Sequence, residues 1–442
     1  MNNKLVSAAV AAALSLAAFV PAAHAQSSDL QELKAQLQAL QAKVEELEAQ
    51  QKSQSEAQDK TLDAVAQTRA NVGEWVGRFQ WKGDLRYRNE TIDQEFTAQK
   101  RNRDRIRLRA GFFARVNDTV RVEMLAATDE AVGGNGDARS SNVTLSDANS
   151  RKRLDLDVAY AEWTPNAYWK ATLGKMRYPW ARPTAALFFD NDINPEGVSL
   201  GWQQGTSGLF ATAYYTQFAE RATAADSTMA GGQFGWRGDL APGTRLTVAA
   251  AYFDHGAVQG YNAVQNADIA NAFGNTTLTG AALCKAGTTA CIANDFNVIE
   301  GFAELAMQVG GRPLTFFAEY AKNNEAELAP ASAGTSSLDT AYAGGVQFGR
   351  VSAARSWELA YLYQKIENDA LYGQCIDSDF GGGVTGSQGH VLRFGYGFGR
   401  NFRINGTYFQ NDTNIDVPTT IAGASIRDRE YKRLQLDLNM TF

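Results

Sequence analysis

Four arginines occupy every second position of one short segment, a spacing that suits anion binding. They are Arg103, Arg105, Arg107 and Arg109. Alternate side chains of an extended strand point to the same face, so the four guanidinium groups would form one row. Each guanidinium can donate paired hydrogen bonds to a carboxylate or a phosphate. Because adjacent like charges repel, such a row needs either anions or acidic side chains beside it.

Two further segments alternate in the same way, one after residue 77 and one at the C-terminus. If the first and last strands are neighbours, the charged faces join into a single surface, the basic wall. The predicted members of this wall are Lys82, Arg86, Arg88, Arg103, Arg105, Arg107, Arg109, Arg115, Arg427, Arg429 and Arg433. The wall could conduct anions, or acidic residues and water could satisfy it and leave it a structural role. The candidate acidic partners are Asp84, Glu123, Asp155, Asp157 and Asp437.

The elements that carry this wall are predicted to be the strands of a membrane barrel. About sixteen segments of roughly ten residues alternate between apolar and polar positions, as outer-membrane strands do. Their connections are alternately short and long, and the last strand ends on Phe442. The fold class is therefore all-β, an outer-membrane barrel of about sixteen antiparallel strands over residues 77–442. An even strand number places both ends of the barrel at the periplasmic rim of short turns.

The third long loop, near residues 179–195, is the candidate for narrowing the lumen. Its two prolines restrict the backbone, and its aromatic residues could pack against the wall. The residues proposed to reach a constriction are Arg182, Asp190, Asp192 and Glu196. If the loop folds inward, the aspartates would face the basic wall and create a transverse field. The alternative is an external loop that carries these charges on its surface.

The segments before the barrel predict export and a helical arm. Residues 1–25 have a basic start, an apolar stretch and an Ala-His-Ala site, which is typical of a signal peptide rather than a membrane anchor. Residues 26–76 carry Leu33, Leu37, Leu40, Val44 and Leu47 at alternating three- and four-residue spacing. This is the seam of a coiled coil, expected in the periplasm. A single amphipathic helix lying on another surface is the alternative.

Composition excludes several other classes of protein. The chain has 442 residues, a formal net charge of −6 and three histidines, one of them in the leader. The acidic balance disfavours nucleic acid as a partner, and so few histidines disfavour histidine-based catalysis or a histidine-rich metal site. We find no nucleotide-binding motif and expect no cofactor, metal or enzymatic activity. Cys284 and Cys291 are predicted to form a disulfide, as exported proteins permit.

Three stretches resemble the putative porin family of Gram-negative bacteria. They are residues 103–116 (RDRIRLRAGFFARV), 174–179 (GKMRYP) and 190–197 (DNDINPEG). The family is similar to the phosphate-selective porins, so the resemblance implies a sixteen-stranded, homotrimeric outer-membrane channel. Those relatives use an arginine ladder, which residues 103–109 match, and a lysine cluster, which this sequence lacks. The resemblance therefore implies a general pore with an anion bias rather than tight phosphate selectivity.

The predicted function is passive diffusion of small hydrophilic solutes across the outer membrane, with anions favoured. The alternative is a structural anchor, in which the helical arm ties the outer membrane to the cell wall through peptidoglycan. The two differ in conductance, because an anchor alone has no need of an open channel.

Overall fold

The computed structural model describes residues 27–130, 136–146, 148–262, 272–285, 289–327 and 337–442. The leader predicted over residues 1–25 lies outside these ranges. The chain divides into two units on either side of the bond between Gly77 and Arg78.

The first unit contains one long helix, α1 (Ser27–Gly77), of 51 residues. Its length is about 77 Å at 1.5 Å per residue. No proline interrupts it, and good helix formers such as alanine, leucine, glutamate and glutamine dominate its sequence. Leu37 and Leu40 are 51% and 69% exposed, so the apolar stripe is uncovered in the single chain. Among the residues described, no helix is long and apolar enough to cross a bilayer.

The second unit is a barrel of sixteen strands in the described part of the chain, here β1 to β16. In chain order they are Phe79–Gln94, Arg101–Arg115, Val120–Asp129, Arg153–Trp163, Trp169–Lys175, Glu196–Gln203, Gly208–Ala219, Ser227–Ala241, Thr244–Gly256, Phe296–Val309, Arg312–Asn323, Thr340–Gly349, Trp357–Ile366, Ser387–Gly397, Phe402–Thr413 and Arg429–Thr441. Five shorter strands lie in the loops, at Val143–Thr144, Thr277–Thr279, Ala290–Ile292, Thr419–Ile421 and Ala424–Ile426.

The barrel closes where the first strand meets the last. β1 pairs antiparallel with β2 and also with β16, from Asp84 opposite Thr441 to Gln94 opposite Tyr431. Beyond the last strand, the Phe442 amide donates to the Gly83 carbonyl at 3.0 Å, and the Gly83 amide donates back at 2.8 Å. A Cβ at Gly83 would lie 2.7 Å from the Arg109 carbonyl oxygen and would also meet the Phe442 ring, so glycine suits this close approach of the strands.

The apolar side chains of the strands face the outside of the barrel. On β1, Trp81 is 74% exposed, and Leu85 and Tyr87 are also exposed. Arg86 and Arg88, in the other phase of the strand, point inward. In water this arrangement would be unfavourable, but in a bilayer the exposed band contacts lipid. The predicted fold class, a sixteen-stranded antiparallel barrel with a helix before it, is confirmed.

Eight long loops join the strands at one rim and short turns join them at the other. The loops are L1 (95–100), L2 (130–152), L3 (176–195), L4 (220–226), L5 (257–295), L6 (324–339), L7 (367–386) and L8 (414–428). The short turns are 116–119, 164–168, 204–207, 242–243, 310–311, 350–356 and 398–401. β1 starts and β16 ends at the rim of short turns.

A hydrophobic cluster lies inside the barrel, against the strands from β7 to β15. Loops L3, L5 and L7 supply part of it, for example Phe188, Ile292 and Tyr372. Inward side chains of the strands, such as Phe253 and Leu362, supply the rest. The opposite side of the interior, at β1, β2 and β16, remains polar.

Candidate functional site

The basic wall lies where β1 pairs with both β2 and β16. The register places Arg88 between Arg105 of β2 and Asp437 of β16. The arginine rows of β1 and β2, which are consecutive in the sequence, and of β16, near the C-terminus, therefore form one continuous surface. This surface faces the interior, as the alternation predicts.

Acidic side chains neutralise a large part of this wall. Asp84 accepts hydrogen bonds from Arg107 Nη2 at 2.8 Å and from Arg109 Nε at 2.7 Å. Asp437 accepts from Arg88 Nε at 2.7 Å and from Arg88 Nη2 at 2.9 Å. Both aspartates are among the acidic partners predicted from the sequence. Arg88, Arg107 and Arg109 are therefore paired with acidic side chains of the wall.

One acidic partner, Glu90, is not among those named from the sequence. Its side chain is fully buried, accepts from Arg433 Nε at 3.0 Å and also pairs with Arg103. Glu90 occupies the next alternate position of β1 after Arg86 and Arg88, so the alternation of the strand already predicts that it faces the interior. Without Glu90, Arg103 would lose this carboxylate partner and Arg433 would keep only Asp379.

Other members of the basic wall lie on the same three strands or in L8. Lys82 pairs with Glu123, and Arg105 pairs with Glu130 at 3.3 Å. Arg429 donates to a backbone carbonyl of L1 at 2.8 Å. The two further candidates are Arg115, which ends β2 at the short-turn rim, and Arg427, which lies in L8.

L3 folds into the barrel and crosses the lumen. The Ala181 amide donates to Gln233 Oε1 at 2.8 Å, and Gln233 Nε2 donates back to the Ala181 carbonyl at 2.9 Å. Further along the loop, the Thr184 amide donates to Glu304 Oε2 at 2.6 Å. Because Gln233 and Glu304 point inward from β8 and β10, L3 is tied to strands beyond the pair that it joins. Arg393 of β14 also donates to the Ala185 carbonyl of L3 at 3.3 Å, which places the loop across the lumen.

Aromatic residues of L3 hold it in this position. Trp180 and Phe189 are buried and lie with their ring centroids 5.6 Å apart. Trp180 also contacts Tyr214 and Phe253, at 4.6 and 5.1 Å between ring centroids. Such pairs contribute about 1 kcal/mol each beyond the burial of their area.

Three of the four loop residues selected from the sequence lie in the lumen. Asp192 faces the basic wall, 3.7 Å from Arg107 and 3.9 Å from Arg109. Asp190 is buried and accepts from the Ser378 amide at 2.8 Å. Arg182 donates to L3 itself, to the Phe189 carbonyl at 3.1 Å and to the Asn191 side chain at 2.9 Å.

Glu196 does not join these residues at the constriction. It is the first residue of β6, its side chain is 64% exposed, and it pairs with Lys175 of β5 at 2.8 Å. It has the same alternation phase as Val198 and Leu200, which face outward. The strand begins directly after Pro195, so Glu196 belongs to β6 rather than to the loop, and the alternation of the strand turns its carboxylate away from the lumen.

L7 also fills the interior, which the sequence analysis did not anticipate. Leu371, Tyr372, Ile376 and Phe380 of this loop are almost completely buried. Gly381, Gly382 and Gly383 all have positive φ, from 58° to 79°, so they shape a tight bend rather than a flexible segment. The signal available in the sequence was this apolar content, which is unusual for a loop exposed to water.

Hydrogen bonds connect L2 with L7, and L7 with L3. Arg139 of L2 donates to the Gly383 carbonyl at 2.9 Å and lies 3.6 Å from the ring centroid of Phe273 in L5. Ser378 of L7 donates to the Arg139 carbonyl at 3.0 Å and, through its amide, to Asp190 of L3. Four loops therefore form one packed assembly inside the barrel.

A narrow cavity of about 500 Å³, here called the passage, remains between this assembly and the basic wall. Seven arginines and five aspartates line it: Arg86, Arg88, Arg107, Arg109, Arg139, Arg393 and Arg403, with Asp190, Asp192, Asp377, Asp379 and Asp437. A wider cavity of about 1,040 Å³, here called the vestibule, lies beside it and is lined by Arg101, Arg103, Arg429 and Arg433 among others. Charged groups thus surround the polar path that the loops leave open.

Two of these arginines, Arg393 and Arg403, were not among the residues predicted from the sequence to line the wall. Arg403 is exposed and, like Arg393, pairs with none of the acidic side chains in the described ranges. Arg393 donates to the Ala185 carbonyl of L3 at 3.3 Å. Their strands place them inward, but each stands alone among neutral residues, so no run of arginines marked them.

Burial and neighbouring charges shift the pKa values of the loop aspartates. Burial raises the pKa of Asp190 well above its usual range, and Asp377 and Asp192 add to this effect. Burial also raises the pKa of Asp377 to about 6, with Asp379 as the second cause. For Asp379, burial acts in the same direction, but Arg433 and Arg88 outweigh it and lower the pKa. These shifts favour the neutral form of Asp190 and Asp377 and the charged form of Asp379.

The cysteines and histidines do not belong to this site. Cys284 and Cys291 of L5 form a disulfide with a Cα–Cα distance of 5.6 Å, and Cys375 of L7 is free and buried. His255 is buried, with Nδ1 3.1 Å from the Phe296 carbonyl, whereas His390 is exposed beside Tyr361. The described residues contain no group of three or more His, Cys, Asp or Glu side chains arranged for a metal ion.

Comparison with known proteins agrees with this architecture. The profile of the family described as Putative porin matches residues 91–309 and 290–442, most of the chain. No curated protein sequence matches it significantly. Pseudomonas putida OprB, solved at high pH, is 9% identical, with a TM-score of 0.53, over 85% of this chain and 96% of that chain. At this identity the likeness shows the fold alone.

Two further solved structures are more distant. A loop-deletion mutant of OmpT, an outer membrane protein of Vibrio cholerae, is 11% identical over 83% of this chain and all of its own, with a TM-score of 0.43. A triple mutant of Rhodopseudomonas blastica porin is 11% identical over 82% of this chain and all of its own, with a TM-score of 0.44. The family match is therefore the decisive comparison: this chain belongs to the putative porin family and forms an outer-membrane channel, not an enzyme.

Proposed function

We propose that this porin lets small hydrophilic solutes diffuse passively across the outer membrane and that it favours anions. The observation that carries the proposal is the lining of the passage, with seven arginines against five aspartates. Because Arg393 and Arg403 lack acidic partners among the described residues, their charge adds to the potential of the passage. Narrow polar channels focus such a potential and raise the local concentration of counter-ions.

The test is the zero-current potential of the purified protein in a planar bilayer under a KCl gradient. The expected potential has the sign that indicates preferential passage of chloride. A potential that favours potassium would mean that the acidic side chains dominate the passage, and the anion bias would be wrong. Absence of any channel would contradict solute diffusion itself.

Lowering the pH is expected to increase the preference for chloride. The pKa of Asp377 is about 6 because of burial and the neighbouring Asp379, so this carboxylate loses its charge as the pH falls from 7.5 to 5. Each lost negative charge makes the passage more positive. The measurement is the zero-current potential across this pH range, and Asp377→Asn should flatten the profile. A preference that falls on acidification would contradict the assignment.

We also propose that the protein assembles as a homotrimer, with α1 in the periplasm. The uncovered stripe of leucines and valines on α1 supports self-association, because a single helix cannot bury it. Since β1 starts at the rim of short turns, a helix that precedes it would begin on the periplasmic side. Trimerisation also follows from the resemblance to phosphate-selective porins.

Charges in the stripe are expected to weaken self-association. Replacing Leu37 and Leu40 by aspartate would place two carboxylates in the seam and oppose helix pairing. The measurement is the sedimentation of the detergent-solubilised protein, and the control is Gln38→Asp and Ala42→Asp, on the face of the helix away from the stripe. If the seam variant sediments like the control, α1 does not mediate assembly.

The alternative role, tethering the outer membrane to peptidoglycan, rests on the length of α1. A helix of about 77 Å could extend well into the periplasm. Cells that express a barrel without residues 27–77 would then leak periplasmic protein while the conductance stays normal. If the envelope remains intact, α1 has no tethering role.

A further inference from the structure

One carboxylate of L7, Asp379, occupies a set of donors on the basic wall. Its Oδ1 is 2.8 Å from Arg433 Nη2, and its Oδ2 is 2.9 Å from Gln435 Nε2 and 3.3 Å from Arg88 Nη1. Both carboxylate oxygens are therefore bound by wall residues, with two guanidinium groups and one amide. This is the donor set that a free carboxylate would need.

The position of this contact is on the route of solutes. Arg433 lines the vestibule, whereas Arg88, Gln435 and Asp379 itself line the passage. The bound carboxylate thus lies at the boundary between the two cavities. An anion that enters from the vestibule meets Arg433 and then Arg88, so it must pass these donors or displace Asp379.

Asp379 is one of the acidic partners of the wall that loops carry, together with Asp192 of L3 and Glu130 of L2. Asp84, Glu90 and Asp437 belong to strands whose register fixes them against the arginines. Asp379 reaches the wall on a bend of L7 that Phe380 and the Gly381 amide anchor, the latter by a 3.0 Å bond to Asn411 Oδ1. Movement of L7 alone would release it.

We propose that Arg88, Arg433 and Gln435 form a binding site for small carboxylates and that Asp379 is its tethered resident ligand. The inference rests on the proposed function, since it requires that anions pass along the wall. A group tethered by a short segment has an effective concentration in roughly the millimolar range or above. Free carboxylates therefore compete poorly with Asp379, and the site stays closed until L7 moves or carboxylates are abundant.

The experiment measures how acetate blocks the chloride current of single channels. In Asp379→Ala the site has no resident carboxylate. We expect the acetate concentration that halves the chloride current to be about tenfold lower in this variant than in the unmodified porin. Methanesulfonate, of similar size but tetrahedral, should block less than acetate. The matched control is Asp155→Ala, which also removes one lumenal carboxylate but one that pairs with a single arginine, Arg153. This control should respond like the unmodified porin.

The outcomes separate the inference from the function on which it rests. If acetate blocks Asp379→Ala no better than Asp155→Ala, the carboxylate site is absent although the pore conducts. If methanesulfonate blocks as well as acetate, the site is a general anion site and the assigned ligand class is wrong. If the unmodified porin forms no channels, the proposed function fails and the inference with it.

Folding of the variants is checked by their mobility on gels before and after heating. Asp379→Asn, which keeps the shape of the side chain and removes its charge, provides a second variant. It should respond to acetate between Asp379→Ala and the unmodified porin. If neither variant folds, Asp379 is a structural tie rather than an exchangeable ligand, and the inference is overturned.

Discussion

Replacing L7 by a two-residue turn is expected to raise the single-channel conductance several-fold. Ile366 and Ser387, which flank the loop, are direct register partners, so an Asn-Gly turn can join β13 to β14 without disturbing the barrel. The replacement removes the buried Tyr372 and Phe380 from the lumen, and L3 loses the hydrogen bond of the Asp190 amide to the Cys375 carbonyl. Both effects widen the path. Conductance in symmetrical KCl measures the change.

The control for this variant is the same replacement in L4. Ala219 and Ser227 are also register partners, and L4 contributes no residue to the lining of the passage. Its conductance should equal that of the unmodified porin. If the L7 variant conducts no better than the L4 variant, L7 does not obstruct the lumen in the bilayer.

Neutralising Arg403 is expected to reduce the chloride preference at no cost in stability. Arg403 is exposed, lines the passage and has no acidic partner among the described residues. Arg403→Gln therefore removes a charge from the solute path without leaving a buried carboxylate unpaired. The zero-current potential under a KCl gradient and the urea midpoint of unfolding measure the two effects.

Neutralising Arg88 provides the contrast. This arginine is almost completely buried and pairs with both Asp437 and Asp379, at 2.7 and 3.3 Å. Arg88→Gln removes a charged donor from two carboxylates. Breaking a buried ion pair in this way lowers the free energy of unfolding by about 3 kcal/mol. We expect a lower chloride preference and also a lower free energy of unfolding. Equal stability of the Arg403 and Arg88 variants would show that the pairs on the wall are dispensable.

The wall could be predicted from the sequence because it depends on local periodicity. A strand alternates whatever its surroundings, so the phase of Arg103 to Arg109 fixes which side chains share a face. Closure of the barrel then brings β16 beside β1, and with it Asp437 beside Arg88. Glu90 has the same phase and could have been read in the same way.

The loops depend on tertiary packing, and the sequence predicted them less well. L3 was recognised as a candidate because prolines and aromatic residues mark it, and Asp192 does face the wall. L7 has no such regular pattern, and its inward position depends on contacts with strands distant in the chain. Glu196 was misplaced because it was grouped with the loop, whereas it is the first residue of β6 and shares the outward phase of Val198 and Leu200.

The seam between β1 and β16 has a consequence for biogenesis. The ion pairs of Arg88 with Asp437 and of Arg433 with Glu90 join the first strand synthesised to the last. An incompletely inserted barrel therefore lacks these pairs, whereas the pairs of Asp84 with Arg107 and Arg109 form between β1 and β2 alone. Completion of the basic wall and completion of the fold are the same event.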